Sequence, residues 1–196
     1  MTAAAITRFD EQTVESAISV ITLAFSADPI ARWAFPDADV YYKYFPPFTR
    51  AFAGGAFEAG SALVTEDNAG AALWLPPGVH PDDEAIGAIV EESVREPRLS
   101  ALMAFVQRQS ALHPTETHWY LPMMGVDPAH QRKGHGSRLL QRALMVCDRE
   151  RLPAYLEATT PSSRALYERH GFVAVNQVQA GDSPTMWGMM RQARLR

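Results

Sequence analysis

One cysteine, Cys147, stands in the whole chain, so no internal disulfide can form and a reducing compartment is expected. No apolar run approaches the roughly 20 residues that a membrane-spanning helix needs. The opening M-T-A-A-A-I-T-R-F-D lacks a basic segment followed by an apolar one, so we expect a cytoplasmic protein without a leader. Basic residues are not in excess: 18 Lys and Arg face 22 Asp and Glu, a net charge of −4. That balance gives no support for nucleic-acid binding and suits a cationic or amine substrate. The six histidines show no H-E-x-x-H or similar spacing, so no metal is indicated. Repeats, low-complexity tracts and linkers are missing too, which leaves residues 1–196 as a single expected domain. Its 47% apolar and 20% charged composition is that of an ordinary globular protein.

What is present centres on His118 to Cys147. His118 to Val126 is an apolar and aromatic run that predicts a strand. Asp127-Pro128 stops it, because proline has no N–H for a ladder and restricts the residue before it. A polar loop with Gly134 and Gly136 follows. Then Leu139, Leu140, Ala143, Leu144 and Cys147 recur at helical spacing. A helix N-terminus after a glycine loop offers unpaired N–H groups and a positive dipole end, and Arg132 and Lys133 add charge there. The sequence thus offers a cradle for a pyrophosphate. Two familiar phosphate loops fail: no G-x-x-x-x-G-K-[ST] occurs, and Leu139 stands where a dinucleotide fingerprint needs its third glycine.

Before this stretch, Ala3 to Phe9 suggests a first strand. Asp10 then predicts an N-cap, and Val14, Ala17, Ile18 and Ile21 a helix ending near Asp28-Pro29. I-A-R-W-A-F-P-D reads as a loop. Tyr41, Tyr44, Phe45, Phe48 and Phe52 lie at helical spacing, with Pro46-Pro47 expected in a first turn or at a kink. Ser61 to Thr65 and Gly70 to Leu75 predict a hairpin. Pro81 to His113 carries two helical patterns divided by Pro97, an insertion able to cover a substrate. Beyond the central stretch, Pro153 to Ala158 predicts a strand parallel to the central one. Pro161 to His170 predicts a short helix, and Phe172 to Val178 and Thr185 to Met190 an antiparallel pair. Pro122, inside the central strand, argues for a bulge or an unpaired stretch.

The string Gln131-Arg132-Lys133-Gly134-His135-Gly136 resembles the Gln/Arg-x-x-Gly-x-Gly/Ala loop of the GCN5-related N-acetyltransferase (GNAT) superfamily. The resemblance continues in Gly125-Val126-Asp127-Pro128 and in Leu166-Tyr167-Glu168-Arg169-His170-Gly171-Phe172. W-Y-L-x-x-x-G-V-x-P-x-H-Q and P-A-Y-L-E-A are similar to puromycin N-acetyltransferase and its relatives. This implies an α+β (α/β/α) GNAT fold: a mixed, mostly antiparallel sheet of about seven strands, splayed at a central parallel pair and flanked by helices. It also implies an N-terminal acceptor half and an acetyl-CoA half over about residues 116–192.

The activity implied is transfer of acetyl from acetyl-CoA to a primary amine of a small molecule, by direct attack in a ternary complex. The resemblance places Met124, Gly125, Val126, Gln131, Arg132, Lys133, Gly134, His135, Gly136, Ser137, Ser163 and Tyr167 at the cofactor. Ser163 stands where the puromycin-type pattern commonly has asparagine. Tyr167 is the implied general acid, a phenol protonated at neutral pH and near a thiolate in basicity. Glu157 is the candidate base or substrate-binding carboxylate, with His118 and Tyr120 as weaker candidates. Trp33, Phe35, Trp74 and Tyr120 are candidates for the acceptor pocket, Trp33 and Phe35 equally readable as core. A non-catalytic acyl-CoA-binding sensor and an acetyltransferase of protein N-termini or lysines are the alternatives. No partner beyond the small-molecule amine is implied, neither nucleic acid nor membrane, and the protein would be a monomer or homodimer.

Overall fold

The computed structural model describes residues 10–194. The strand expected over Ala3–Phe9 lies outside them. Helix α1 (Glu11–Phe25) starts where Asp10 caps it, its carboxylate accepting from Thr13 N–H at 2.8 Å. The segment expected as a loop instead forms α2 (Pro29–Ala34), because Asp28 caps it and Pro29 sits at its first turn, where no N–H is needed. Helix α3 (Ala38–Ala53) continues past Pro46 and Pro47, which lie mid-helix rather than in a first turn. The two carbonyls that lose their partners belong to Tyr42 and Lys43, both exposed, so water serves them. On the other face Tyr41, Phe45, Thr49 and Ala53 stay buried, with Tyr41 stacked on Phe45 at 4.7 Å. A short α4 (Gly55–Glu58) leads to the hairpin β1 (Ala62–Val64) and β2 (Gly70–Leu75).

The insertion forms two helices as expected, α5 (Asp83–Ser93) and α6 (Arg98–Leu112). Strand β3 (Trp119–Val126) and helix α7 (His135–Glu150) make up the central stretch. Strand β4 (Ala154–Ala158), helix α8 (Pro161–Arg169), and strands β5 (Val173–Val178) and β6 (Met186–Arg191) complete the chain. Among the described residues there are six strands rather than about seven, in the order β1-β2-β3-β4-β6-β5. Only β3 and β4 run parallel; the other pairs are antiparallel.

Helices cover both faces of the sheet. Leu139, Leu140, Leu144 and Cys147 of α7 pack with Trp74, Leu121, Leu156 and Met189 on one side. Each leucine buried there contributes about 1.5–3 kcal/mol by removal from water. Burial also pushes the Cys147 thiol up to about 12, which makes it a core residue and a poor nucleophile. On the other side, α1, α3 and the insertion cover Leu73, Tyr120, Met123 and Tyr155. Gly125 lets α1 lie close on β3: a Cβ there would meet the Ala24 Cβ at 2.7 Å. Among the described residues no helix is long and apolar enough to cross a membrane.

Candidate active site

Strand β3 is paired on one side along its length and on the other only in part. Its register with β2 runs from Tyr120 to Val126, whereas with β4 it covers only Trp119, Leu121 and the Tyr120 between them. The parallel pairing ends after Leu121. Opposite β2 the register slips between Leu73 and Leu75, so that Leu121 and Pro122 together oppose Trp74. This is a bulge, and it flips the alternation of the strand. Tyr120 and Met123, three residues apart, therefore share one face, while Leu121 and Met124 share the other. Beyond the bulge Asp127 N–H donates to Ala69 at 2.8 Å. By alternation, the N–H groups of Met124 and Val126 point away from β2, into the opening beside β4.

At the C-terminal end of this opening lies the start of α7. Gly134 is its N-cap at φ +88°, and no side chain caps the helix. Arg132, at φ +61°, is also left-handed. Such a backbone turns successive N–H groups toward one concavity, and glycine at the cap leaves that concavity free of a Cβ. Gln131 holds the loop rather than projecting from it, donating to the Val126 carbonyl at 3.2 Å; Lys133 donates to Ala129 O at 3.1 Å. His135 is buried between Asp67, His130 and Arg138. Gly136 sits inside the first turn against Leu166, and Ser137 meets His170 at 3.0 Å.

Glu157 stands on β4 one residue past the last parallel pair, on the face of Tyr120 and Tyr155. It keeps some accessible surface although protein surrounds it, which places it at the bottom of a concavity. Desolvation raises its pKa above the ordinary carboxylate value. Hydrogen bonds from Gln109, Tyr120 and Tyr155 and the nearby His118 oppose the rise. The Gln109 amide, from α6, donates to Oε1 at 3.1 Å. His118 and His113 are both held below the usual imidazole value, mainly by burial, so both are neutral at pH 7.

Tyr167 stands on α8. It is buried against Phe172, and burial holds its phenol well above the ordinary value, with the charge of Asp28 adding to the effect. No hydrogen bond to its hydroxyl forms among the described residues. Asp28 accepts from Ile30 N and Ala31 N, and the Thr159 hydroxyl donates to its other oxygen. That bond ties the α1–α2 corner to the end of β4. Burial raises the Asp28 pKa as well.

Met124, Gly125 and Val126 thus lie along the unpaired edge of β3 at this opening, with Gly134 and Gly136 at the α7 start beyond it and Glu157 on the neighbouring β4 on the face of Tyr120, while Tyr167 is buried on the α7 side of the sheet near Asp28. Others stand apart from it. Trp33 and Phe35 are buried in the core, Trp33 donating to Asp182 at 3.0 Å. Trp74 is 1% exposed on the α7 side of the sheet, the face opposite Tyr120, and offers no surface to an acceptor. Ser163 completes the capping box of α8 with Thr160, which occupies its hydroxyl.

A central strand that leaves its parallel neighbour at a bulge, with an uncapped helix N-terminus at the opening, is the architecture of one known family. The acetyltransferase (GNAT) family model matches residues 38–172. The chain belongs to the GNAT family. Members of that family are acetyltransferases and generally use acetyl-CoA. An uncharacterized N-acetyltransferase of Schizosaccharomyces pombe is 31% identical over 126 residues, which is 58% of this chain and 51% of that protein. The match thus spans about half the length of the curated relative. A solved acetyltransferase from Corynebacterium glutamicum, related to histone acetyltransferase HPA2, is 21% identical, with 96% of each chain covered and a TM-score of 0.65. Arylalkylamine N-acetyltransferase 2 of Aedes aegypti is 12% identical, covers 95% of this chain and 97% of its own, and has a TM-score of 0.63. These likenesses establish the GNAT fold.

Within this GNAT fold, sequence reasoning missed Gln109, Tyr155, Asp28 and Thr159. Asp28 had a signal, since an aspartate before proline is a capping pattern. Gln109 had none: it lies on a periodic helix whose docking partner is 48 residues away.

Proposed function

We propose that the chain transfers an acetyl group from acetyl-CoA to the primary amine of a small molecule, by direct attack in a ternary complex. The observation that carries this is the opening beside β3, with an uncapped helix start at one end and the half-buried Glu157 at the other. The residues suit acetyl-CoA: the α7 start and the Arg132 and Lys133 charges would hold the pyrophosphate, and the open edge of β3 the pantetheine arm. Acetyl-CoA supplies an activated thioester, so no residue need be acylated.

An incoming ammonium must lose a proton, and Glu157 takes it directly or through water; its raised pKa brings it closer to the working pH. The Met124 N–H, aimed into the opening, would stabilise charge that develops on a carbonyl oxygen there. Tyr167, which keeps its proton at neutral pH, would return one to a departing thiolate. The reducing setting expected from the single buried Cys147 suits a cytoplasmic enzyme that releases a free thiol.

The test is a thiol-release assay with acetyl-CoA against an amine panel that includes puromycin, aminoglycosides, polyamines and amino acids, run beside Tyr167→Phe. Release that requires an amine and falls in the variant supports the proposal. Tight acetyl-CoA binding without release would favour a sensor, and failure to bind acetyl-CoA would overturn both.

A further inference from the structure

A second concavity lies beside Glu157. It is a cleft of about 570 Å³ between α3, the α5–α6 insertion and the N-terminal end of β3. That volume is within the range that takes small organic molecules. One wall is apolar: Phe48 and Phe52 stack at 5.4 Å, and Val79 and Ile86 extend the surface. Phe52 meets Tyr120 edge to face at 6.3 Å. The facing wall is polar, with Gln109 and His113. Gln109 and Tyr120 line the cleft and are also hydrogen-bond partners of Glu157, so the carboxylate stands behind its inner wall.

Charge and closure narrow the occupant. Among the described residues neither lysine nor arginine lines the cleft, while Asp83 and Glu116 do, both exposed. Two of its histidines, His113 and His118, are held toward the neutral form. The site therefore favours a cation, and its aromatic rings add the attraction of their faces. A second ammonium along the apolar wall would lose hydration there and gain only solvated carboxylates at the mouth. The sheet face beyond α6 is closed by a clasp. Asp182, in the β5–β6 turn, accepts from Trp33 at 3.0 Å and pairs with Arg98 at 3.0 Å, and the Arg98 guanidinium lies 4.8 Å over the Trp33 ring. An extended peptide laid along the sheet would have to break it.

We infer that this cleft is the acceptor site and that it selects a primary amine carried on an aromatic or compact apolar body, over a polyamine or a peptide N-terminus. The inference rests on the transferase function proposed above, and it moves the acceptor away from Trp33 and Trp74 to Phe48, Phe52 and Tyr120.

The experiment compares 2-phenylethylamine, spermidine and a serine-initiated tetrapeptide in steady-state acetylation, with direct amine binding followed by calorimetry on the protein without acetyl-CoA. We expect kcat/KM for 2-phenylethylamine to exceed the other two by about ten-fold or more, the scale on which apolar pockets discriminate. Phe52→Ala should raise KM for 2-phenylethylamine by about ten-fold with little change in kcat, and Phe52→Leu, which keeps most of the apolar bulk, should recover part of it. Spermidine or peptide turnover equal to or above that of 2-phenylethylamine would overturn the inference. So would a Phe52→Ala variant that melts like the parent and keeps its KM. If no amine is acetylated yet 2-phenylethylamine binds in a Phe52-dependent way, the transferase proposal falls and the cleft stands. If it does not bind, the cleft assignment falls.

Discussion

The two faces of the sheet are built differently. The α7–α8 face comes from one continuous stretch, β3 to α8, in which strand, loop, helix and strand follow one another with short connections. The opposite face is assembled from α1, α3 and the α5–α6 insertion, segments separated by tens of residues and joined by side chains such as Gln109 on Glu157 and Thr159 on Asp28. The first is a local motif whose chemistry lies in backbone N–H groups. The second is a tertiary site whose chemistry lies in side chains held by distant partners. Substitutions on the local face should act mainly on stability or on the thioester side, and those on the assembled face on the amine and its proton.

The largest effect is expected at Glu157. Glu157→Gln keeps the shape and removes the proposed base, so kcat should fall by about 10²–10⁴-fold. The acid limb of the parent's pH profile should lie above the ordinary carboxylate range, because burial raises this pKa, and it should vanish in the variant. A limb that persists would hand the role to another group. Tyr167→Phe should lower kcat by about 10²-fold, with acetyl-CoA binding unchanged in calorimetry. Equal losses of binding and rate would show the phenol to be packing instead.

On the local face the expected losses are in folding. The Arg191 guanidinium is 4% exposed and bonds both oxygens of Asp148 at 2.8 and 2.9 Å. Asp148→Asn strands that charge and should cost about 2–4 kcal/mol in denaturant unfolding, below the fully buried case because the carboxylate is partly wet. Arg191 holds the Asp148 pKa below its unfolded value. The parent should therefore carry this stabilisation above the ordinary carboxylate pKa and lose it as pH falls through the folded one. The variant's stability should lack that part of the pH dependence.

Smaller effects are expected on each face. Gln109→Ala removes a donor that favours the charged form of Glu157, so the acid limb should move to still higher pH while KM for acetyl-CoA stays put. Ser163→Ala should cost about 1 kcal/mol through the α8 capping box, with activity retained at low temperature.

What the sequence could reveal follows the same division. The β3–loop–α7 unit, the parallel β4, the α8 stop at Gly171 and the β5–β6 pair were legible, because period, proline and glycine are local signals. Pro122 announced the bulge for the same reason. The α2 helix had a local signal, Asp28 before Pro29, whereas the continuation of α3 through Pro46-Pro47 was not legible. That continuation depends on what surrounds it, a buried stripe strong enough to outweigh two lost hydrogen bonds on the wet face.

By itself, then, the sequence determined the GNAT backbone and the glycine loop and helix start at one end of the opening, since a row of consecutive N–H groups needs only the right turn. Tertiary structure decided the other end. A buried carboxylate has no fixed pKa or partner until α6 brings Gln109 to it. An apolar wall likewise becomes a binding site only when another segment stands opposite and leaves a gap.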